Sequence, residues 1–340
     1  MKKTLVVMIG IIIFLSACGG GAAVQTEPTQ TPELFTDDQG RPVNPTPPQS
    51  EKRCGDGICD GPENTDNCPN DCGGESELPM AAENSFWVSN PTSGNQLYAT
   101  VTYPESGSEP YPAVVLIPGG VGDSSDLLSR GMAGRFADAG FVAVVFDPDG
   151  RGQSEGEEDY NGFIQQAGLA TIITFTAELP TVDVDQIGLV SFSYGVTMAS
   201  GALARYPDLP VIFYIDWEGP VDRYDTTVEC SNSTKINFAA CDEAAYWAER
   251  EALTFITEVD IPYLRLQSEI DHVQPDNSHA LNIVNAAVAG SPTWVRLNDE
   301  PVNQTYDLNN PPAMIPEGEN RDLAQMVVKY TQEMLALHGR

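Results

Sequence analysis

Basic side chains are scarce in this sequence: 17 lysines and arginines stand against 49 aspartates and glutamates, a formal net charge of −32 at pH 7. So acidic a surface repels nucleic acid and anionic lipid headgroups, which excludes both as partners recruited through charge. Histidine is scarcer still, so His272, His279 and His338 are the only imidazoles open to acid–base chemistry. The few cysteines form no C-x-x-C pair, which argues against a zinc site. The apolar run near the N-terminus, residues 5–15, is short for a membrane span of about 20 residues. What is plentiful is apolar residue overall: 41% of 340 residues, ample to core one large domain or two smaller ones.

The N-terminus reads as an address. Met1-Lys2-Lys3 supplies a positive flank, the apolar run follows, and Leu15-Ser16-Ala17-Cys18 resembles the lipobox of bacterial lipoproteins. That resemblance implies cleavage before Cys18, lipidation of its thiol and an extracytoplasmic protein whose contact with the membrane is the lipid anchor alone. Residues 18–50 are rich in Pro and Thr with no apolar spacing for burial, and are expected to form an extended tether.

Residues 51–74 form a separate module carrying Cys54, Cys59, Cys68 and Cys72. In an oxidising compartment four cysteines at such spacing imply two disulfides, with three pairings open. The interleaved Asp56, Asp60, Glu63, Asp66 and Asp71 offer oxygen ligands for Ca²⁺, and solvated acidic loops are the alternative. No other cofactor is implied. The remaining pair, Cys230 and Cys241, is expected to close a third disulfide.

From about residue 80 to 340 strand-like and helix-like segments alternate, which predicts an α/β fold with a mostly parallel central sheet flanked by helices. Residues 85–89 and 96–103 read as an antiparallel opening pair, and 113–117 and 141–146 as strands buried on both faces. Helices are expected over 127–139, 161–178 and the C-terminal stretch marked by Leu323, Met326, Val327, Tyr330, Met334 and Leu337. Between them, a strand ending near Ile187-Gly188-Leu189-Val190 runs into Ser191-Phe192-Ser193-Tyr194-Gly195 and then a helix. A serine at the apex of such a strand-turn-helix is held exposed beside a potential base, so Ser193 is the candidate nucleophile.

Four stretches in order resemble the α/β-hydrolase superfamily, closest in texture to dienelactone-hydrolase-like and serine-esterase-like members. They are Leu116-Ile117-Pro118-Gly119-Gly120, residues 147–154, Val184-Asp185-Gln186-Ile187-Gly188 leading into the Ser193 turn, and Glu269-Ile270-Asp271. The resemblance implies an oxyanion hole from the backbone N–H of Tyr194 and that of Gly119 or Gly120. It implies Asp271 as the carboxylate that orients a histidine, with Glu218 as the alternative acid. It also implies a cap-like insertion at about 219–259, whose aromatic residues suit an apolar substrate portion or the cap's own packing.

The superfamily places its histidine after the strand at 293–297, and there the sequence has none; Asn303 stands near that place and cannot act as a base. His272 directly follows Asp271, so only a turn brings its ring back towards Ser193. His279 falls in the first turn of a helix beginning near Pro275 or Asp276, and His338 on the terminal helix reads as a packing residue. Two functions are therefore expected: a lipid-anchored serine hydrolase cleaving an ester or related acyl bond of a small molecule, with His272 or His279 as its base, or a non-catalytic binding protein that kept the fold.

Overall fold

A computed structural model describes residues 84–226, 230, 239–302, 304–316 and 322–339, all within the second of the chain's two units, Pro79–Arg340. Cys18, the tether, the cysteine-rich module and Asn303 lie outside the described residues. Among the described residues no helix is long and apolar enough to cross a membrane.

Among the described residues one nine-stranded sheet organises the fold. β1 (Ser85–Ser89) and β2 (Gln96–Thr102) pair antiparallel, and β2 pairs antiparallel with β4 (Val142–Phe146). From β4 the sheet runs parallel through β3 (Tyr111–Ile117), β5 (Val182–Phe192), β6 (Phe213–Trp217), β7 (Tyr263–Leu266) and β8 (Val295–Leu297). A two-residue β9 (Glu300–Pro301) closes the far edge antiparallel. The spatial order is β1-β2-β4-β3-β5-β6-β7-β8-β9.

Alternation along each strand divides the core into two layers. Val114, Leu116, Val145, Val190, Ile215 and Leu264 face one side. There they meet α1 (Ser124–Ser129), α2 (Met132–Asp138) and the terminal helix, designated α9 (Leu323–His338), through residues such as Leu127, Phe136 and Met334. Val115, Ile117, Val144 and Leu189 face the other side. They meet α3 (Phe163–Glu178), α4 (Gly195–Arg205) and a further helix, α8 (Ser278–Ala289). Because both faces are covered, the central strands read as unbroken apolar runs.

The helix expected over 127–139 is in fact two. Gly131 adopts φ +68° between α1 and α2, a left-handed conformation that ends the first helix and starts the second in a new direction. The segment after β6 carries α5 (Arg223–Thr226), α6 (Ala244–Ala248) and α7 (Ala252–Phe255), and the expected Cys230–Cys241 disulfide is formed. Trp247 of α6 is fully buried and Phe255 of α7 nearly so. These aromatic residues pack the insertion itself rather than line a substrate pocket.

Close packing within the sheet gives one test. Gly188 on β5 lies against the ring of Phe213 on β6, and any Cβ at this position would overlap that ring, which is itself fully buried. Gly188→Ala is expected to destabilise the fold by about 1–3 kcal/mol, read as a lower urea midpoint at unchanged slope.

Candidate active site

β5 and β6 end in register, with Phe192 beside Trp217, and each is followed by a residue in left-handed conformation. These are Ser193 at φ +50° and Glu218 at φ +48°. Non-glycine residues rarely adopt this region, and they hold it only where surrounding bonds fix the backbone. Here the Ser193 N–H donates to the Trp217 carbonyl at 2.8 Å and the Glu218 N–H to the Leu266 carbonyl at 3.1 Å, so the ladder continues past the strand ends.

Small residues make room for the serine turn. A Cβ at Gly195 would lie 2.6 Å from the Pro118 carbonyl oxygen, and one at Gly219 would lie 2.6 Å from the Ser193 carbonyl oxygen. Gly119 is equally confined, its Cβ position 2.9 Å from that of Ser193. Ser191, at the position where a glycine is usual, is fully buried and bonds the Tyr214 hydroxyl through its Oγ at 2.8 Å.

His272 meets Ser193. Its Nε2 lies 2.9 Å from Ser193 Oγ and its Nδ1 lies 3.0 Å from Glu218 Oε2. The buried Glu218 carboxylate also accepts the Ser268 N–H at 3.0 Å and the His272 N–H at 3.2 Å, so it holds both the ring and the backbone that carries it. Trp217 stacks on the imidazole, with ring centroids 4.7 Å apart and planes 27° from parallel. The result is a hydrogen-bonded line Ser193–His272–Glu218 from the ends of three neighbouring strands, β5, β6 and β7.

Asp271, the carboxylate implied by resemblance, is placed differently. Its Oδ1 accepts the N–H groups of Val273 and Gln274 at 2.8 and 2.7 Å, closing the turn that returns His272 to Ser193. Its Oδ2 accepts from Gln267 at 2.9 Å and lies 3.2 Å from His279 Nε2. Asp271 Oδ1 is 3.5 Å from His272 Nδ1, outside the contact that Glu218 makes. His279, in the first turn of α8, is buried against Asp271, and no hydrogen bond joins it to Ser193 among the described residues. His338 packs edge-on to Trp294 at 5.0 Å, and burial lowers its pKa.

The place where the superfamily keeps its histidine is also rebuilt. After β8 the chain turns at Asn298, φ +51°, directly into β9. Asn298 Oδ1 accepts the Gln267 N–H at 2.9 Å and its Nδ2 donates to the Gln267 carbonyl at 3.0 Å, bracing the histidine-bearing turn from the side opposite Glu218 in the sheet order.

A narrow cavity of about 50 Å³ lies over Ser193. Gly120 and Tyr194 line it beside Ser193, Glu218 and His272. Gly120 takes φ +59°, and Tyr194 precedes the first turn of α4, the geometry by which a backbone N–H is turned towards a reacting carbonyl. Among the described residues, the insertion contributes Pro220, Asp225 and Thr226 to the wall, and none of its aromatic residues. Sequence reasoning ranked Asp271 above Glu218 and missed both Trp217 and Asp225. The signal for Glu218 was its place directly after a buried strand, at the same level as Ser193.

Residues 93–237 match the X-Pro dipeptidyl-peptidase (S15 family). No curated protein gives a significant match in sequence. Among solved structures, Est1E from Butyrivibrio proteoclasticus with ferulic acid bound is 16% identical over 74% of this chain and 99% of its own, with a TM-score of 0.54. The esterase Pf2001 of Pyrococcus furiosus is 14% identical over 75% of this chain and 92% of its own, with a TM-score of 0.54. An acylaminoacyl peptidase in complex with Z-Gly-Gly-Phe-chloromethyl ketone is 18% identical over 75% of this chain but only 41% of its own, with a TM-score of 0.52. Together with the strand order, these likenesses show that the chain has the α/β-hydrolase fold.

Burial alone would raise the Asp271 pKa, but the His279 imidazole 3.2 Å away and hydrogen bonds from the Gln274 N–H and Gln267 hold it well below the usual carboxylate range. A carboxyl depressed in the folded state contributes stability in full above its unfolded pKa of about 3.9, and that stability is lost as pH falls below it. Asp271→Asn removes this dependence. Its urea midpoint is expected to fall less than that of the wild type between about pH 5 and pH 2.5.

Proposed function

We propose that this protein is a serine hydrolase that cleaves an ester bond of a small acyl substrate, with Ser193 as nucleophile, His272 as general base and Glu218 as the carboxylate that orients it. The observation that carries this reading is the 2.9 Å contact between Ser193 Oγ and His272 Nε2, with Glu218 at 3.0 Å on the other ring nitrogen. The binding-protein alternative drew its support from the missing histidine after β8, and His272 supplies that group from one strand earlier.

The chemistry follows from the geometry. His272 Nε2 takes the Ser193 proton as Oγ bonds to the substrate carbonyl carbon, and the carbonyl electron pair moves onto oxygen. The N–H groups of Tyr194 and Gly120 receive that oxyanion. Glu218 keeps the proton on Nδ1 and stabilises the imidazolium. Collapse expels the alcohol, which takes the proton from His272. A water molecule then repeats the sequence on the acyl-enzyme, releasing the acid and restoring Ser193.

A fluorophosphonate probe is expected to label Ser193, and Ser193→Ala to lose both labelling and ester hydrolysis. His272→Ala and Glu218→Gln are expected to lower kcat by about 10³ to 10⁴, on the scale known for triad members. Asp271→Asn, which alters the turn but leaves Glu218 on the ring, is expected to cost far less. An Asp271→Asn loss equal to that of Glu218→Gln would move the acid role to Asp271. Wild-type protein that neither labels nor cleaves short acyl esters would favour the binding-protein alternative.

We also propose that the hydrolase is extracytoplasmic and lipid-anchored through Cys18, a reading supported by the lipobox-like Leu15-Ser16-Ala17-Cys18 and the Pro/Thr-rich stretch after it. Metabolic labelling with an alkyne-tagged palmitate is expected to mark the wild type and not Cys18→Ser. Equal labelling of the two would place the lipid elsewhere.

A further inference from the structure

The ionisable side chains in the cavity wall are Glu218, His272 and Asp225. Glu218 and His272 are bound to each other. Asp225 is not committed in this way. Among the described residues its carboxylate receives one hydrogen bond, a long one of 3.4 Å from the Val221 N–H, and no lysine or arginine lies within ion-pair distance. Arg223, two residues earlier, is directed to Glu251 at 2.6 Å and to the Cys241 carbonyl at 3.0 Å. Burial, and after it the nearby Asp222, push Asp225 up to about 6, so it still carries its charge at neutral pH.

Gln274 extends the same character. Its side-chain N–H donates to the Asp225 carbonyl at 3.0 Å, which assigns the other amide atom as oxygen, and that buried oxygen has no hydrogen-bond partner. Gln274 also belongs to the cavity wall. The wall beside the nucleophile thus offers a carboxylate and an amide oxygen, with no lysine or arginine at ion-pair distance among the described residues, and with His279 and Arg265 acting on the carboxylate only from farther away. A half-buried carboxylate with no lysine or arginine at ion-pair distance favours a positive ligand over a negative one. The net charge of −32 adds a field of the same sign.

We propose that Asp225, with Gln274 beside it, forms a specificity subsite for a compact alkylammonium group on the substrate whose acyl bond meets Ser193. The proposal rests on the serine-hydrolase reading for its kinetic test, and the ammonium group belongs either to the acyl part or to the alcohol part of the ester.

Two matched pairs of esters separate these sources. On the alcohol side, choline butyrate is compared with 3,3-dimethylbutyl butyrate. On the acyl side, the ethyl ester of 4-(trimethylammonio)butyrate is compared with that of 5,5-dimethylhexanoate. The wild type is expected to favour the charged member of one pair by about tenfold or more in kcat/KM, the discrimination one desolvated charge pair supplies. Asp225→Asn is expected to reduce that ratio about tenfold, and Asp225→Glu to keep most of it, each variant first checked for native circular dichroism. A ratio of one or less in both pairs, or a ratio unchanged in Asp225→Asn, overturns the proposal. Should no ester be turned over by the wild type, the hydrolase reading fails on its own, and calorimetric titration with n-butylammonium decides the subsite. Binding to wild type that is lost in Asp225→Asn supports it, and equal or absent binding overturns it.

Discussion

The candidate site depends on one buried carboxylate. Glu218 accepts the Nδ1 of His272, the backbone N–H of His272 and the backbone N–H of Ser268. Those bonds do two jobs that are usually separate. They fix the orientation of the imidazole, and they fold the chain after β7 back over the strand ends so that the imidazole reaches Ser193. Charge-assisted bonds of this kind are about twice as strong as neutral ones, and burial screens them little. An aspartate at 218 would be one methylene shorter, which gives a physical reason for the glutamate here.

Around that carboxylate the sheet supplies alignment. The register of β5 with β6 puts Ser193 and Glu218 level, each in a left-handed turn stitched to the next strand by a backbone hydrogen bond. Two strained residues side by side are sustained because the strand residues beneath them, 187–192 of β5 and 213–216 of β6, are buried. Beneath Glu218, Arg265 and Asp216 form a fully buried ion pair, with Arg265 reaching the Gly219 carbonyl at 3.0 Å and Gln267 at 2.8 Å. This pair ties the residues after β6 to those after β7.

Much of this was legible in the sequence. Unbroken apolar runs marked the parallel strands, and small residues around Ser193 marked the strand-turn-helix. The terminal helix followed from its spacing, with Asp322 as the cap that accepts the Gln325 N–H. The split between α1 and α2 was missed because Gly131 sits inside an otherwise helical pattern, where an isolated glycine is tolerated at a modest cost. The acid was harder. Asp271 and Glu218 both follow buried strands, and only the three-dimensional turn, which consumes both oxygens of Asp271, separates them. That His272 doubles back is likewise a property of the turn, since adjacent residues in extended chain point apart. In chain order Ser193, Glu218 and His272 follow β5, β6 and β7, so the carboxylate and the imidazole each stand one strand earlier than the resemblance implies.

The turn that bears His272 is gripped at both flanks, by Glu218 from β6 and by Asn298 through Gln267 from β8. A loop pinned in this way has surrendered its conformational entropy during folding, well before any encounter with substrate. The ordering that many enzymes draw from binding energy is thus already in place, and the free protein already holds Ser193, His272 and Glu218 in one hydrogen-bonded line. A turn held from both sides leaves the cavity wall above it as the part of the site free to vary without disturbing the Ser193–His272–Glu218 line.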